Sequence, residues 1–152
     1  MIEITLSDAH GIASIMPIME CAFDPAYGEA WSAAQCLSML TLPDSQLLIA
    51  HYDGAIAGFA ISRWVLDEEE LMMIGVSPGF QRLSIGQHLL NHVIENAKKT
   101  MRIKLYLEVR ANNSAIEFYR SMLFTQIGSR PNYYLSTDGT RYDATTMQRI
   151  IQ

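Results

Sequence analysis

The chain has 152 residues, of which 49% are hydrophobic and 18% charged, and its formal net charge at pH 7 is −5. This length suits a single domain, residues 1–152, with a well-buried core, and is short for two domains. A net negative charge argues against general nucleic-acid binding, which relies on basic surfaces, and suits a basic partner.

The N-terminus and the cysteines bear on the cellular compartment. The first ten residues lack the positive region and the apolar segment of a signal peptide. No stretch approaches the ~18 consecutive apolar residues of a membrane span. Cys21 and Cys36 lie in apolar segments, which favours reduced packing residues over a disulfide. We therefore expect a soluble, cytoplasmic protein with neither a membrane nor a nucleic acid as partner.

The first sixty-five residues predict three strands and two helices. Residues 2–6 alternate apolar and polar side chains, as in an edge strand. Ser7 and Asp8 can cap a first helix, and Pro17 predicts that this helix kinks or restarts. Ser32 can cap a second helix. Strands at 47–52 and 55–65 flank an Asp53-Gly54 turn. The side chains expected to face inward from the two helices are Ile12, Ile15, Met16 and Met19, then Ala33, Cys36, Leu37 and Leu40.

The middle of the chain predicts a central strand, a turn and a long helix. An acidic run, residues 67–70, precedes a strand at 71–76 that is apolar on both faces, as expected between two helical layers. A turn at 81–86 then leads into a helix. The backbone N–H groups of such a turn can bind an anion, and a phosphate-bearing ligand fits best. The apolar stripe of the helix is Ile85, Leu89, Leu90, Val93, Ile94 and Ala97.

The last fifty residues predict a strand at 104–110, a short helix at 114–122 and a hairpin of strands 125–134 and 142–150. The roughly twenty residues between the central strand and residue 104 suit a parallel crossover connection through the long helix. The predicted order is β-α-α-β-β-β-α-β-α-β-β. This is an α/β (α+β) fold with a mixed central sheet of about six to seven strands and about four helices.

The turn before the long helix carries a family resemblance. Val76-x-Pro78 followed by Gln81-Arg82-x-x-x-Gly86 resembles the acetyl-CoA pyrophosphate loop of the GNAT superfamily of N-acetyltransferases, whose pattern is Gln/Arg-x-x-Gly-x-Gly/Ala. Ser84 stands at the first glycine of that pattern. The resemblance implies a single GNAT domain that uses acetyl-CoA as co-substrate and no metal. The implied cofactor-binding residues are Ile74, Gly75, Val76, Gln81, Arg82, Leu83, Ser84, Ile85, Gly86, Gln87 and Asn112.

A second resemblance lies at residues 105–124, LYLEVRANNSAIEFYRSMLF. This segment resembles the Leu-Glu-Val-Arg strand and the Asn-x-x-Ala-x-x-x-Tyr-x-x-x-Gly-Phe motif of the ribosomal-protein-alanine N-acetyltransferase (RimI) branch. Arg130-x-Asn132-Tyr133-Tyr134 resembles the C-terminal hairpin of that branch. Leu123 replaces the usual glycine, and Glu108 and Asn112 are four apart where the branch usually has five.

The resemblance to this branch implies a function and roles for individual side chains. The implied activity is direct transfer of acetyl, in a ternary complex, to the N-terminal α-amine of a protein, most of all the alanine of a ribosomal protein. Glu108 would be the general base and Tyr119 the acid that meets the departing thiolate. Tyr133 and Tyr134 would shape the peptide pocket. Glu70 would contact substrate, or replace Glu108 as base as in other GNAT branches.

Each role has a structural alternative. Glu108 could be a surface carboxylate beside Arg110, and Glu70 one of four solvated acids. Tyr119 could be a core aromatic, and the Tyr133-Tyr134 pair could pack the hairpin. His88 and His92 have a metal-capable spacing, but no third ligand is in view. Two other functions stay open, namely acetylation of a small amine such as a polyamine, and a non-catalytic sensor of acyl-CoA.

Overall fold

The computed structural model describes residues 1–151, which form seven strands and four α-helices in the predicted order. The mixed α/β fold is therefore confirmed. None of the described helices is long and apolar enough to span a membrane. The strands are β1 Ile2–Ser7, β2 Ser45–Tyr52, β3 Ala55–Val65, β4 Glu68–Val76, β5 Lys104–Arg110, β6 Thr125–Leu135 and β7 Arg141–Ile150. The helices are α1 Ile12–Ala22, α2 Ala33–Leu40, α3 Ile85–Lys99 and α4 Ala115–Ser121.

The strands form one sheet in the order β1-β2-β3-β4-β5-β7-β6. The pair β4 and β5 is parallel, as the crossover through α3 predicts, and the other neighbours are antiparallel. Within residues 1–151, the β4–β5 register joins Glu68–Glu70 to Lys104–Tyr106 and goes no further. Beyond that point the two strands separate, and we call the resulting opening the β4–β5 cleft.

A β-bulge in β4 lies close to the point where the cleft opens. Met73 pairs with Ile61 and Leu71 pairs with Ser62, so that Met72 is the extra residue. A bulge bends its strand and increases the local twist. Leu71 and Ile74 pack in one core, whereas Met73 packs in the core on the opposite face of the sheet. The bulge therefore reorients β4 where it leaves β5.

The sheet has a hydrophobic core on each face. The six residues of the predicted α3 stripe are all buried, which confirms that prediction. The second core lies under α1 and α2 and includes Ile15, Met19 and Cys36. Two details of this layer differ from expectation, because Ala33 and Leu37 of α2 are exposed, and Cys21 is exposed rather than packed. Both cysteines are free thiols, as predicted.

The acidic run was wrongly placed before the central strand. β4 begins at Glu68, and the Glu69 side chain is 0% exposed. Ser62 Oγ donates a hydrogen bond to Glu69 Oε2 at 2.7 Å, and Arg102 Nη1 lies 3.6 Å from Oε1. A buried carboxylate needs such partners, and they come from β3 and from the α3–β5 connection. The first helix does not restart at Pro17, because α1 runs through that residue as one helix.

Candidate active site

A cavity of about 440 Å³ lies at the β4–β5 cleft. It brings together six of the predicted site residues, which are Glu70, Ile74, Glu108, Tyr119, Tyr133 and Tyr134. The loop between α1 and α2 forms a further wall with Tyr27, Glu29 and Trp31. We call this space the central cavity. Residues from β4, β5, β6 and α4 thus meet in a single concave site.

Glu108 projects from β5 into the central cavity. Its neighbours Leu107 and Val109 point to the opposite face, where they join the core under α3. The Glu108 side chain is only 13% exposed, so it is not the surface carboxylate that the residue pattern alone allowed. Oε1 lies 3.1 Å from Arg130 Nη2, while Oε2 is buried without a hydrogen-bond partner among residues 1–151. A carboxylate with a free acceptor oxygen in a cavity can take a proton from an amine.

Two of the tyrosines that line the cavity, Tyr119 and Tyr134, have raised pKa values. Tyr119, on α4, is 7% exposed, and its ring packs edge-on against Phe124 at a centroid distance of 5.9 Å. Burial, Tyr134 and Glu29 raise the pKa of Tyr119 above its ordinary value of 10.0. Tyr134 donates a hydrogen bond to the Glu108 carbonyl oxygen at 3.3 Å, and burial first of all raises its pKa too. Both hydroxyls therefore keep their protons at neutral pH.

Glu70 is a second carboxylate of the cavity. It is half-buried, and burial, followed by the negative charge of Glu108, raises its pKa above 4.5. A hydrogen bond with Tyr106 and the charges of Arg130 and Arg63 act in the opposite direction. Glu70 is thus electrostatically coupled to Glu108 and is not a fully solvated acid.

Arg110 joins the α1–α2 loop to the end of β5. Its side chain is 8% exposed, and its guanidinium lies 3.4 Å from the Tyr27 ring centroid. It donates to Glu29 Oε1 at 3.3 Å and to Asn112 Oδ1 at 2.7 Å. No local pattern in the sequence marks this role of Arg110, because Glu29 is 81 residues away along the chain.

The two adjacent asparagines after β5 have different environments. Asn112, the predicted cofactor contact, is exposed and is engaged by Arg110. Asn113 lines the central cavity, and its Oδ1 accepts a hydrogen bond from the Ala115 N–H at 2.8 Å, at the start of α4. The motif alone could not distinguish the two neighbours, because they have the same side chain.

The turn at residues 81–87 leads from β4 into α3, as predicted. Its residues Gln81, Arg82, Leu83, Ser84 and Gln87 are exposed, whereas Ile85 is buried. His88 N–H donates to the Ser84 carbonyl at 3.0 Å, which leaves the earlier N–H groups of the helix start for another partner. This arrangement suits an anion such as a phosphate.

The backbone of this turn shows why the family pattern has glycine where this chain has Ser84. Ser84 has a φ of 65° and Arg82 a φ of 64°, both in the left-handed region that favours glycine. Gly86 does not have a left-handed backbone. An added Cβ there would lie 3.6 Å from Phe118 and 3.8 Å from Val76, which is ordinary van der Waals contact. No contact within the described residues therefore requires glycine at 86. These distances also place the start of α3 beside α4 and the open end of β4.

Among residues 1–151, no group of three or more His, Cys, Asp or Glu side chains is arranged to hold a metal ion.

Comparisons with known proteins point to one family. The model of the Acetyltransferase (GNAT) family matches residues 12–124. The [ribosomal protein bS18]-alanine N-acetyltransferase of Escherichia coli (strain K12) is 46% identical over 96 residues, which cover 62% of this chain and 64% of that relative. The N-alpha-acetyltransferase RimI of Mycobacterium tuberculosis (strain ATCC 25618 / H37Rv) is 31% identical over 151 residues, 96% of this chain and 89% of that protein.

A solved structure gives the same result for the fold. The crystal structure of the ribosomal-protein-S18-alanine N-acetyltransferase from Escherichia coli superposes with a TM-score of 0.90 and 34% identity, covering 100% of this chain and 95% of that one. The chain therefore belongs to the GNAT family of acetyltransferases.

Proposed function

We propose that this protein transfers the acetyl group of acetyl-CoA to the N-terminal α-amine of a protein, and that its acceptor is the alanine of a ribosomal protein. One observation carries the proposal. The central cavity joins a carboxylate with a free oxygen, Glu108, to a buried protonated phenol, Tyr119. The relatives whose printed names state this activity support the choice of acceptor. A ribosomal-protein acceptor would place the enzyme in the cytoplasm.

Acetyl-CoA would occupy the β4–β5 cleft. The pyrophosphate would accept hydrogen bonds from the N–H groups of the 81–87 turn. The pantetheine arm would run along Ile74, Gly75 and Val76, where β4 has left β5 and can pair with an added strand. A backbone N–H near Val76 would polarise the thioester carbonyl. The side-chain oxygens of Asn112 and Asn113 are both engaged, so each would offer its amide N–H to the arm, and Asn113, which lines the central cavity, is the better placed of the two.

The reaction would proceed by direct attack in a ternary complex. Glu108 would remove a proton from the α-ammonium group, whose pKa is ~8, directly or through a water molecule. The nitrogen would then form a bond to the thioester carbon, and the carbon–sulfur bond would break. The Tyr119 hydroxyl would give its proton to the departing thiolate, and the phenolate would recover a proton from the nitrogen, which loses a second proton as the amide forms. Because burial keeps this phenol protonated, the donor would be present throughout the neutral pH range.

The acceptor peptide would enter between the α1–α2 loop and β6. Trp31 forms one wall of the central cavity, and Tyr133 and Tyr134 form the other. The Tyr133 and Tyr134 rings pack edge-to-face at a centroid distance of 5.1 Å. Glu70 lies on the floor contributed by β4 and would contact the first residues of the peptide.

The decisive experiment is thiol release from acetyl-CoA with a panel of acceptors. The panel contains peptides that begin with alanine, serine or methionine, the alanine peptide already N-acetylated, an N-terminally blocked lysine peptide, and spermidine. Release confined to free alanine or serine termini, with mass spectrometry locating acetyl on the α-amine, is the expected result. Turnover of the blocked lysine peptide alone would contradict the proposal.

A second candidate function rests on charge. Three carboxylates, Glu29, Glu70 and Glu108, line the central cavity, and such a site also suits a small polycationic amine. Release with spermidine alone would favour that function. Tight acetyl-CoA binding without release across the panel would favour a non-catalytic sensor.

A further inference from the structure

Arg130 occupies a distinctive position on β6. It pairs with Ala144 of β7, and the next pair along the two strands is Tyr134 with Tyr142. The intervening segment is irregular, since Asn132 has a φ of 55° and its N–H donates to Asp143 Oδ1 at 2.9 Å. Arg130 therefore occupies the last regularly paired position before the irregular segment. From there its guanidinium contacts the Glu108 carboxylate.

The two ion pairs of the central cavity differ in how firmly they are held. Glu29 is paired with Arg110, which is 8% exposed and also engages Tyr27 and Asn112. Glu108 is paired with Arg130, whose side chain is 60% exposed; among the described residues, Arg130 also faces the Tyr133 ring at 5.4 Å and acts on the charge of Glu70. The carboxylate of this pair is buried, but the guanidinium lies largely in water, which solvates it once it leaves. Arg130 can therefore be exchanged for another cation, whereas Arg110 is fixed.

We propose that Arg130 is the resident counter-ion of Glu108, and that the ammonium group of the acceptor displaces it. The inference rests on the proposed function, because it concerns the carboxylate assigned there as base. In the free protein the guanidinium holds Oε1, so an incoming ammonium group has to exchange with it to bind that oxygen, while Oε2 is buried without a hydrogen-bond partner among residues 1–151. Exchange of one cation for another keeps the charge of the buried carboxylate balanced throughout binding. Arg130 is in this sense a positioning residue and not a catalytic one.

The surroundings of Glu108 show why a counter-ion is needed. The titratable and charged groups around it include Glu70 from β4, Tyr106 and Arg110 from β5, Tyr134 and Arg130 from β6, and Glu29 from the α1–α2 loop. Arg110 is paired with Glu29, so Arg130 is the positive charge placed directly against Glu108, next to the second carboxylate Glu70. Loss of Arg130 therefore favours protonation of the carboxyl group at low pH. It also removes a competitor for the acceptor amine.

The test compares Arg130→Met with Arg130→Lys and with Arg141→Met. Arg141 belongs to the same hairpin, is exposed and bonds the Asn132 carbonyl, so its loss removes the same charge away from Glu108. At pH 8.5, we expect Arg130→Met to lower the KM for an alanine peptide about two- to fivefold with kcat little changed. The acid limb of kcat/KM should move to higher pH, so that the loss relative to the wild type grows as the pH falls. Arg130→Lys should return the acid limb of kcat/KM to its wild-type position. Arg141→Met should change neither the KM for the peptide nor the acid limb.

A raised KM for the peptide at every pH, with the acid limb unmoved, would overturn the proposal and leave Arg130 as a peptide contact or a fold contact. A second measurement does not depend on turnover. The side-chain carboxyl carbon of Glu108, identified by NMR through Glu108→Gln, should titrate at higher pH in Arg130→Met than in the wild type. If the wild type acetylates no peptide but the Glu108 titration differs between Arg130→Met and the wild type, the proposed function is wrong and the assignment of Arg130 as counter-ion is supported. An unshifted titration would overturn the counter-ion even in an active enzyme.

Discussion

At the scale of single residues, the central cavity holds a carboxylate and a phenol in complementary states. Glu108 Oε2 is buried and lacks a hydrogen-bond donor among the described residues, which costs about 1–3 kcal/mol for an ordinary polar group. The buried Tyr119 hydroxyl instead retains its proton, because burial raises its pKa. A base that lacks a partner and an acid that retains its proton are suited to the two ends of an acyl transfer.

The substitution Glu108→Gln tests the base. The amide keeps the shape of the side chain and an oxygen that accepts from Arg130, but it cannot take a proton. We expect kcat/KM for the alanine peptide to fall by about 10²–10⁴. Acetyl-CoA affinity, measured by calorimetry, should stay the same. The matched variant is Glu70→Gln, and a larger loss there than in Glu108→Gln would transfer the role of base to Glu70.

The substitution Tyr119→Phe tests the acid. It removes one hydroxyl and leaves the ring contact with Phe124, so the fold should be retained. We expect turnover to fall by about 10² or more with acetyl-CoA affinity unchanged. In the wild type, the raised pKa of Tyr119 means that its proton is lost only above pH 10.0, so turnover should show no alkaline fall from this group below that pH. If Tyr134→Phe is impaired and Tyr119→Phe is not, the acid is Tyr134.

At the scale of elements, the connection from β4 to α3 combines strain with open backbone. Arg82 and Ser84 adopt left-handed conformations that cost roughly 1–2 kcal/mol each for residues with a side chain. The buried side chain of Ile85 anchors this turn to the core under α3. The free N–H groups thereby face outward on a backbone that is fixed before any ligand arrives.

The substitution Ser84→Asp tests phosphate binding at this turn. Ser84 is exposed and left-handed, a conformation that aspartate tolerates, so thermal stability should change little. We expect the Kd for acetyl-CoA to rise about tenfold or more, because the added carboxylate would repel the pyrophosphate at the helix start. Gly79→Asp is the control, since nothing lies within 4 Å of a Cβ there and the same charge is added before the turn. Equal Kd values for the two variants would show that the pyrophosphate binds elsewhere.

At the scale of the whole molecule, the closed end of the β4–β5 cleft is held by a buried polar network. Glu69 accepts from Ser62 and lies near Arg102, whose guanidinium is 3.9 Å from the Trp64 ring centroid. Gln46 extends the network to Asn96 on α3. These contacts join β2, β3, β4 and α3 where β4 and β5 still pair. The opposite end of the two strands is left free to open.

The substitution Arg102→Met tests this network through the pH dependence of stability. Burial raises the pKa of Glu69, and Ser62 and Arg102 partly oppose that rise, so removing Arg102 raises it further. A carboxyl group with a raised pKa in the folded state destabilises the fold as the pH increases above 4.5. The loss in unfolding free energy should therefore be small near pH 5 and grow to about 3–5 kcal/mol at pH 8.

Urea denaturation at the two pH values measures this difference. The control is Lys98→Met, which breaks an exposed pair with Glu95 and should cost about 0.5 kcal/mol or less at both. A loss for Arg102→Met that does not depend on pH would mean that Glu69 is neutral in the native protein.

The sequence by itself determined the order of the elements, the buried stripe of α3 and the identity of Glu108 and Tyr119 as site candidates. These features depend on residues that are neighbours along the chain: a helical period in α3, a turn at Asp53-Gly54, a motif within residues 105–124. Local physical chemistry is enough for the helical stripe and the turn, whereas the two site candidates came from the resemblance of residues 105–124 to a family motif.

The tertiary structure alone decided which groups meet. The burial of Glu69, the choice of Asn113 over Asn112 to line the cavity, and the pairing of Glu108 with Arg130 all depend on strand register and on the irregularity in β6. The Arg110–Glu29 pair joins residues 81 apart. Such partners come from strands and loops that only folding brings together, and burial, which sets the pKa values of Glu70 and Tyr119, depends on the same packing.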